Sequence, residues 1–316
     1  MAFFLFAHSR NHTEHRMSIT FHDPARRILA ALFILAFLAS GFGQAEAHGD
    51  KKPDKKGILL VAFGTTVPGA DSAYKNIEKK AKEAFPGVEV RMAYSSKIVR
   101  HKLAAEKKLK LDSPAEALAR MMNDDFTHVA VQSLQTIPGA EFHDILATAK
   151  AFSGMPKGMK QVEVGLALMA TTEDVAKVAQ ALLASVPKAR KIDEAVVLVG
   201  HGTRHPADVY YAALQYHVWK KDPLVFIGTV EGAPSQEDVL AELGKNNVKK
   251  AHLMPFLAVA GDHAKNDLAG DEPDSWKSVM TGAGIAVTPV LKGTGDNAPL
   301  ADIWIEHLKS AFERLR

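Results

Sequence analysis

"AVVLVGHGTRH", residues 195–205, decides the fold. An uncharged run of apolar and small residues ends in Gly200, His201 and Gly202. A short apolar run closed by glycine reads as a parallel strand buried on both faces and followed by a tight turn. His201 then stands at the carboxyl end of that strand, where open α/β sheets bind ligands. A structural histidine satisfied by a neighbouring loop fits the same stretch equally well. The rest of the chain has to separate the two readings.

Working outward, the pattern recurs. Strands are expected in "GILLVAF" (57–63), "VEVRMAY" (88–94), "HVAVQSL" (128–134), "VEVGLAL" (162–168), "AVVLVGH" (195–201), "LVFIGTV" (224–230), "AHLMPFL" (251–257) and "AVTPVL" (286–291). Helical periodicity fills the gaps. It is clearest in "TTEDVAKVAQALLASV" (171–186), where Val175, Val178, Ala179, Leu182 and Leu183 form one stripe and Thr171 with Asp174 makes a capping box. Such alternation predicts parallel sheets flanked by helices.

The two halves also resemble each other. "VAFGTT" (61–66) aligns with "VGHGTR" (199–204), setting Phe63 opposite His201. "VAVQSLQTIPGAE" (129–141) aligns with "AHLMPFLAVAGDH" (251–263), setting Glu141 opposite His263. The fold class expected is therefore α/β, with two similar Rossmann-like parallel-sheet domains, 57–188 and 189–316, facing a central cleft. Histidine stands at both equivalent positions in the second half alone, which favours chemistry over architecture. The last helix has an apolar face in Ile303, Leu308 and Phe312 that can pack back on the first domain or meet a neighbour.

Residues 1–47 read as a secretory signal peptide: Arg26 and Arg27 precede an apolar run, and Ala45-Glu46-Ala47 supplies the small-x-small cleavage pattern. Met17 is a candidate alternative start. Cleavage after Ala47 implies a periplasmic protein with no permanent membrane span, its fold preceded by a charged linker at 48–56. The charge balance of 39 Lys and Arg against 36 Asp and Glu gives nucleic-acid binding no support. The absence of Cys removes disulfides, thiolate metal sites and Cys nucleophiles together.

Three strand-end turns of the second half carry metal-competent side chains: His201, Glu231 in "TVEGAPS", and His263 in "VAGDHAKND". Two imidazoles and a carboxylate suit a borderline divalent ion such as Co, Ni, Fe or Zn with open positions, and Asp262 and Asp267 can orient the imidazoles. A structural polar cluster is the competing reading.

"GHGTRH", "VEGAPSQEDVL", "HLMPFLAVAGDHAKNDLAGDEPDSWK" and "VAFGTT" resemble, in order and spacing, the anaerobic-type sirohydrochlorin cobaltochelatases, the CbiK type of class II tetrapyrrole chelatases. The likeness spans residue 57 to about the C-terminus. It implies a homo-oligomer with a ferrochelatase-like fold that inserts Co(II), with Fe(II) also compatible, into sirohydrochlorin without ATP. The absence of a Gly-x4-Gly-Lys-Ser/Thr loop agrees. His201, Glu231 and His263 become the implied metal ligands. Insertion removes two pyrrolic protons, so a neutral imidazole beside the ring is the natural base. His201 is preferred for that role; exchange with His263 is equally compatible with the sequence.

The substrate is a polycarboxylate, so cationic and N–H donors are expected nearby. Arg100, with Ser95 and Ser96 in "YSSKIVRHKL", is the candidate clamp, and Arg204, His205 and Lys265 are further candidates. Phe63, Tyr94 and Leu257 are candidate packing or ring-contact residues. His252 is read as a surface or core-edge residue, and His143, in the first turn of a helix, as a surface residue or an extra metal or haem ligand. An exported chelatase lies far from the usual site of tetrapyrrole synthesis. The competing functional class is therefore a periplasmic carrier of metal, haem or tetrapyrrole that reuses the cleft.

Overall fold

The computed structural model describes residues 53–316; the expected leader and residues 48–52 of the linker lie outside the described residues. All eight expected strands form. In the first half they are β1 (Lys56–Ala62), β2 (Glu89–Tyr94), β3 (His128–Ser133) and β4 (Gln161–Gly165), in the order β2-β1-β3-β4. In the second they are β5 (Ala195–Gly200), β6 (Val225–Thr229), β7 (Lys250–Pro255) and β8 (Ala286–Pro289), in the order β6-β5-β7-β8. Every pairing is parallel. The two sheets thus share one topology, and each reverses its strand order beside its first strand.

Helices cover both faces, which is why the central strands can be apolar throughout. They are α1 (Ser72–Ala84), α2 (Lys97–Lys107), α3 (Pro114–Asn123), α4 (Ala140–Phe152), α5 (Thr172–Ala184), α6 (Val209–Trp219), α7 (Gln236–Lys245), α8 (Trp276–Gly282) and α9 (Ala298–Glu313). On β1, Ile58 and Leu60 join a core shared with Val196 and Leu198 of β5, while Leu59 and Val61 face Leu118, Met121 and Ile145. Val197 and Val199 close a third core with Leu243, Trp276 and Met280. The expected capping box at α5 is present: the Thr171 hydroxyl accepts from the Asp174 N–H, and the Asp174 carboxylate accepts from the Thr171 N–H.

Residues 188–189 fall in the loop between α5 and β5. The last helix does not stay with its own sheet. α9 packs on β3, β4, α1 and α5, with Ile303, Trp304 and Leu308 buried and Phe312 against Phe85, ring centroids 4.8 Å apart. No described helix is long and apolar enough to cross a membrane.

Candidate active site

The strand ends of the two halves are tied by the same backbone bonds. After β1, the Ser95 N–H donates to Ala62 O (2.8 Å) and Ser96 N–H to Phe63 O (3.1 Å); after β5, Val230 N–H donates to Gly200 O (3.1 Å) and Glu231 N–H to His201 O (2.8 Å). Leu134 N–H reaches Val61 O at 2.8 Å and Phe256 N–H reaches Val199 O at 2.7 Å. This correspondence pairs Phe63 with His201, Ser96 with Glu231 and Gln135 with Leu257. The register of the sequence repeat is therefore also the register of the fold.

Each turn is built alike. Gly64 (φ 109°) and Gly202 (φ 74°) adopt left-handed backbone. A Cβ on Gly202 would lie 2.5 Å from the Gly232 nitrogen, so the turn that follows His201 requires glycine. The Gly64 N–H points to the Tyr74 hydroxyl (3.3 Å) and the Gly202 N–H to that of Tyr211 (3.5 Å). Burial pushes the Tyr211 phenol up to about 12 and raises that of Tyr74 as well, so both remain neutral props. The Asp208 carboxylate accepts from Thr203 N–H (2.9 Å) and Ala233 N–H (2.7 Å), clamping the His201 turn to the Glu231 turn. Sequence reasoning missed Asp208, whose signal is only its position seven residues after His201.

His201 and His263 meet edge to face, with centroids 4.7 Å apart. The His201 Nδ1–H donates to Gly202 O at 3.1 Å, and the His263 Nδ1–H donates to the Asp267 carboxylate. Both rings are thereby held in the tautomer that leaves the Nε2 lone pair free. Glu231 lines the same cavity of about 380 Å³, together with Phe63, Leu257, Glu141 and Asp262. Among the described residues, no group of three or more His, Asp or Glu side chains is gathered closely enough to hold an ion as it stands. Asp262 accepts from the Thr66 hydroxyl (3.0 Å), which ties the first half to the second across the cleft mouth.

The expected carboxylate-binding side chains do not gather with these. Among the described residues, neither Lys nor Arg lines the cavity. Arg100 is mostly buried, 3.6 Å from Glu116, and Ser96 is buried as the N-cap of α2, its hydroxyl accepting from Val99 N–H. Ser95 donates to Glu141 at 2.8 Å, and so touches the cavity only through that carboxylate. Arg204 and Lys265 are exposed and outside the lining. Tyr94 packs on Tyr74 at 6.3 Å, centroid to centroid.

His143 lies on the first turn of α4, exposed, its Nδ1–H donating to Gly139 O (2.9 Å) and its ring 5.2 Å from that of His205. His205 accepts from Ala207 N–H through Nδ1 (3.1 Å), capping the short helix Pro206–Asp208. The reading of His252 as a surface or core-edge residue needs correction: it is buried in β7, with Nε2 2.8 Å from Glu194. A carboxylate distant in sequence makes that burial tolerable.

The fold, two parallel four-stranded sheets with a cavity at their strand ends, is similar to that of the sirohydrochlorin chelatase SirB of Bacillus subtilis subspecies spizizenii, solved with cobalt. The match has a TM-score of 0.55 and 16% identity, covering 82% of this chain and 96% of that one. At that identity the likeness is one of fold. Residues 56–313 match the family model for cobalt chelatase (CbiK), and the chain belongs to that family. It is 46% identical over 261 residues to the sirohydrochlorin cobaltochelatase CbiKC of Nitratidesulfovibrio vulgaris, covering 83% of this chain and 92% of the relative. It is also 33% identical to the sirohydrochlorin cobaltochelatase of Salmonella typhimurium, covering 82% and 97%.

Proposed function

We propose that this chain is a sirohydrochlorin cobaltochelatase, inserting Co(II) into the macrocycle without ATP. Its family supports the reaction, and the facing His201 and His263 rings, each with Nδ1 engaged and Nε2 free, carry the mechanism. The ion is substrate. It is taken up by the two Nε2 atoms, with Glu231 rotating in from the same cavity wall to add a carboxylate. A site that is open and incomplete until the ion arrives can also surrender it. The metal trades these ligands for four ring nitrogens while the ring releases two protons. His201 Nε2 accepts the first as it loses the ion, and His263 or Glu231 passes the second to solvent. Phe63 and Leu257 flank the ring.

The same donors accept Fe(II), and direct competition between the two ions ranks them. The reading extends to export, with the leader removed after Ala47, and to a homo-oligomer; cell fractionation and sedimentation test these. The test of the reaction is anaerobic turnover of sirohydrochlorin with Co(II) beside His201→Ala. Rapid turnover that is lost in the variant supports the assignment, equal rates in the two overturn the role of His201, and a wild-type rate no faster than a protein-free control overturns the reaction. The carrier reading draws on His143, exposed and next to His205. Unchanged metal and haem content in His143→Ala removes His143 as an extra ligand, whereas a tight, stoichiometric co-purifying ligand without turnover favours the carrier over the enzyme.

A further inference from the structure

Among the polar groups on the duplicated wall of the cleft that the chelation chemistry does not use, the one with an unmet donor is Gln135. Gln135 lines the cavity opposite Leu257 in the repeat. Its main chain is fixed at three points. Its N–H donates to the Ser133 hydroxyl (3.3 Å), and its carbonyl accepts from Leu168 N–H (2.9 Å) and from the Trp304 indole (3.3 Å). Its side-chain Nε2 is buried with no hydrogen-bond partner among the described residues. A donor left in that state is costly unless something supplies an acceptor.

The composition of the cavity says what that acceptor is. No Lys or Arg among the described residues lines it, and the Nδ1–H groups of His201 and His263 are already given to Gly202 and Asp267. The Gln135 amide is thus the side-chain N–H group of the lining that has no partner. The lining also presents Glu141, Glu231 and Asp262, which repel a polycarboxylate. A macrocycle edged with carboxylates meets an uncharged donor on this wall and anions elsewhere. The terminal torsion of glutamine is broad, so turning the amide toward a ligand costs little.

We propose that Gln135 is a substrate-binding residue whose side-chain amide donates to a carboxylate of the bound tetrapyrrole and fixes the rotational setting of the ring over His201 and His263. This rests on the chelatase reading above.

The test is a titration of metal-free sirohydrochlorin, followed by its own fluorescence, into the wild-type protein and into Gln135→Leu and Gln135→Glu, with steady-state Co(II) insertion and thermal unfolding measured alongside. Loss of a hydrogen bond to a charged group predicts binding weaker by about tenfold or more and a matching rise in KM for Gln135→Leu. Its kcat falls as well, because the ring is no longer held in register over His201 and His263, while its Co(II) dependence stays unchanged and its melting temperature is not lowered. Gln135→Glu, which sets a carboxylate against a carboxylate, binds more weakly still. Unaltered substrate affinity in Gln135→Leu overturns the proposal. Binding by Gln135→Glu that matches or exceeds Gln135→Leu overturns the choice of a carboxylate as the acceptor. Absence of Co(II) turnover in the wild type would instead refute the chelatase reading, while the affinity comparison still reports on Gln135.

Discussion

His201 and His263 owe their chemistry to what holds their other nitrogen. Gly202 O and the Asp267 carboxylate accept hydrogen bonds from the two Nδ1–H groups, so both Nε2 atoms are presented as bases and ligands. His201→Ala is expected to lower kcat by about 10²–10⁴-fold in anaerobic insertion assays. Asp267→Ala keeps both imidazoles and is expected to weaken Co(II) affinity by about 10–100-fold in equilibrium dialysis, because His263 loses the partner that sets its tautomer. Affinity equal to the wild type contradicts that role. The two histidines were legible because each follows an apolar strand and a glycine-bearing turn. Arg100 misled because its partner Glu116 sits on the next helix, and Ser96 because a helix cap and a ligand donor look identical in sequence.

Elements are held by local devices that the chain spells out, and by contacts that it does not. The Thr171 capping box was visible as Thr-x-x-Asp, and Thr171→Ala is expected to cost about 1 kcal/mol in urea unfolding. Gly202 has a sharper constraint, with φ at 74° and a neighbouring backbone nitrogen where a Cβ would stand. Gly202→Ala is expected to destabilise by about 1–3 kcal/mol and to slow insertion as well, because the His201 turn must shift. A variant as stable and as active as the wild type would contradict this. Eight apolar runs bounded by turn residues were enough to find every strand among the described residues. The topology of the second sheet followed from the repeat with the first. The Asp208 clamp remained hidden because it joins the turns after two different strands, and the two tyrosine props because a buried helix tyrosine reads as core packing whether or not its hydroxyl meets the preceding turn.

The described residues are tied together by long-range links, the clearest made by the last helix and by Glu194. α9 returns to the first sheet, and its buried Trp304 also donates to the Gln135 carbonyl on the cleft wall. Trp304→Ala is expected to cost about 3–5 kcal/mol in denaturant unfolding. Hydrogen bonds from His252, Lys250 and the Lys191 N–H hold the Glu194 carboxyl at about 2, well below the ordinary 4.5. Its folded value is depressed, so its contribution is complete above the ordinary value and is lost as pH falls toward 2. Glu194→Gln is therefore expected to be less stable than the wild type at pH 6, with the gap closing as pH approaches 2. A gap independent of pH would contradict the linkage. His252 escaped recognition because a buried histidine and an edge histidine differ only by a partner 58 residues away. Above these supports stands the claim that the cleft metallates a tetrapyrrole. The measurement that tests it most directly is anaerobic absorbance of sirohydrochlorin with excess Co(II), with the protein at catalytic concentration. The account predicts many turnovers per chain and their collapse in His201→Ala. A rate no faster than the protein-free control would contradict it.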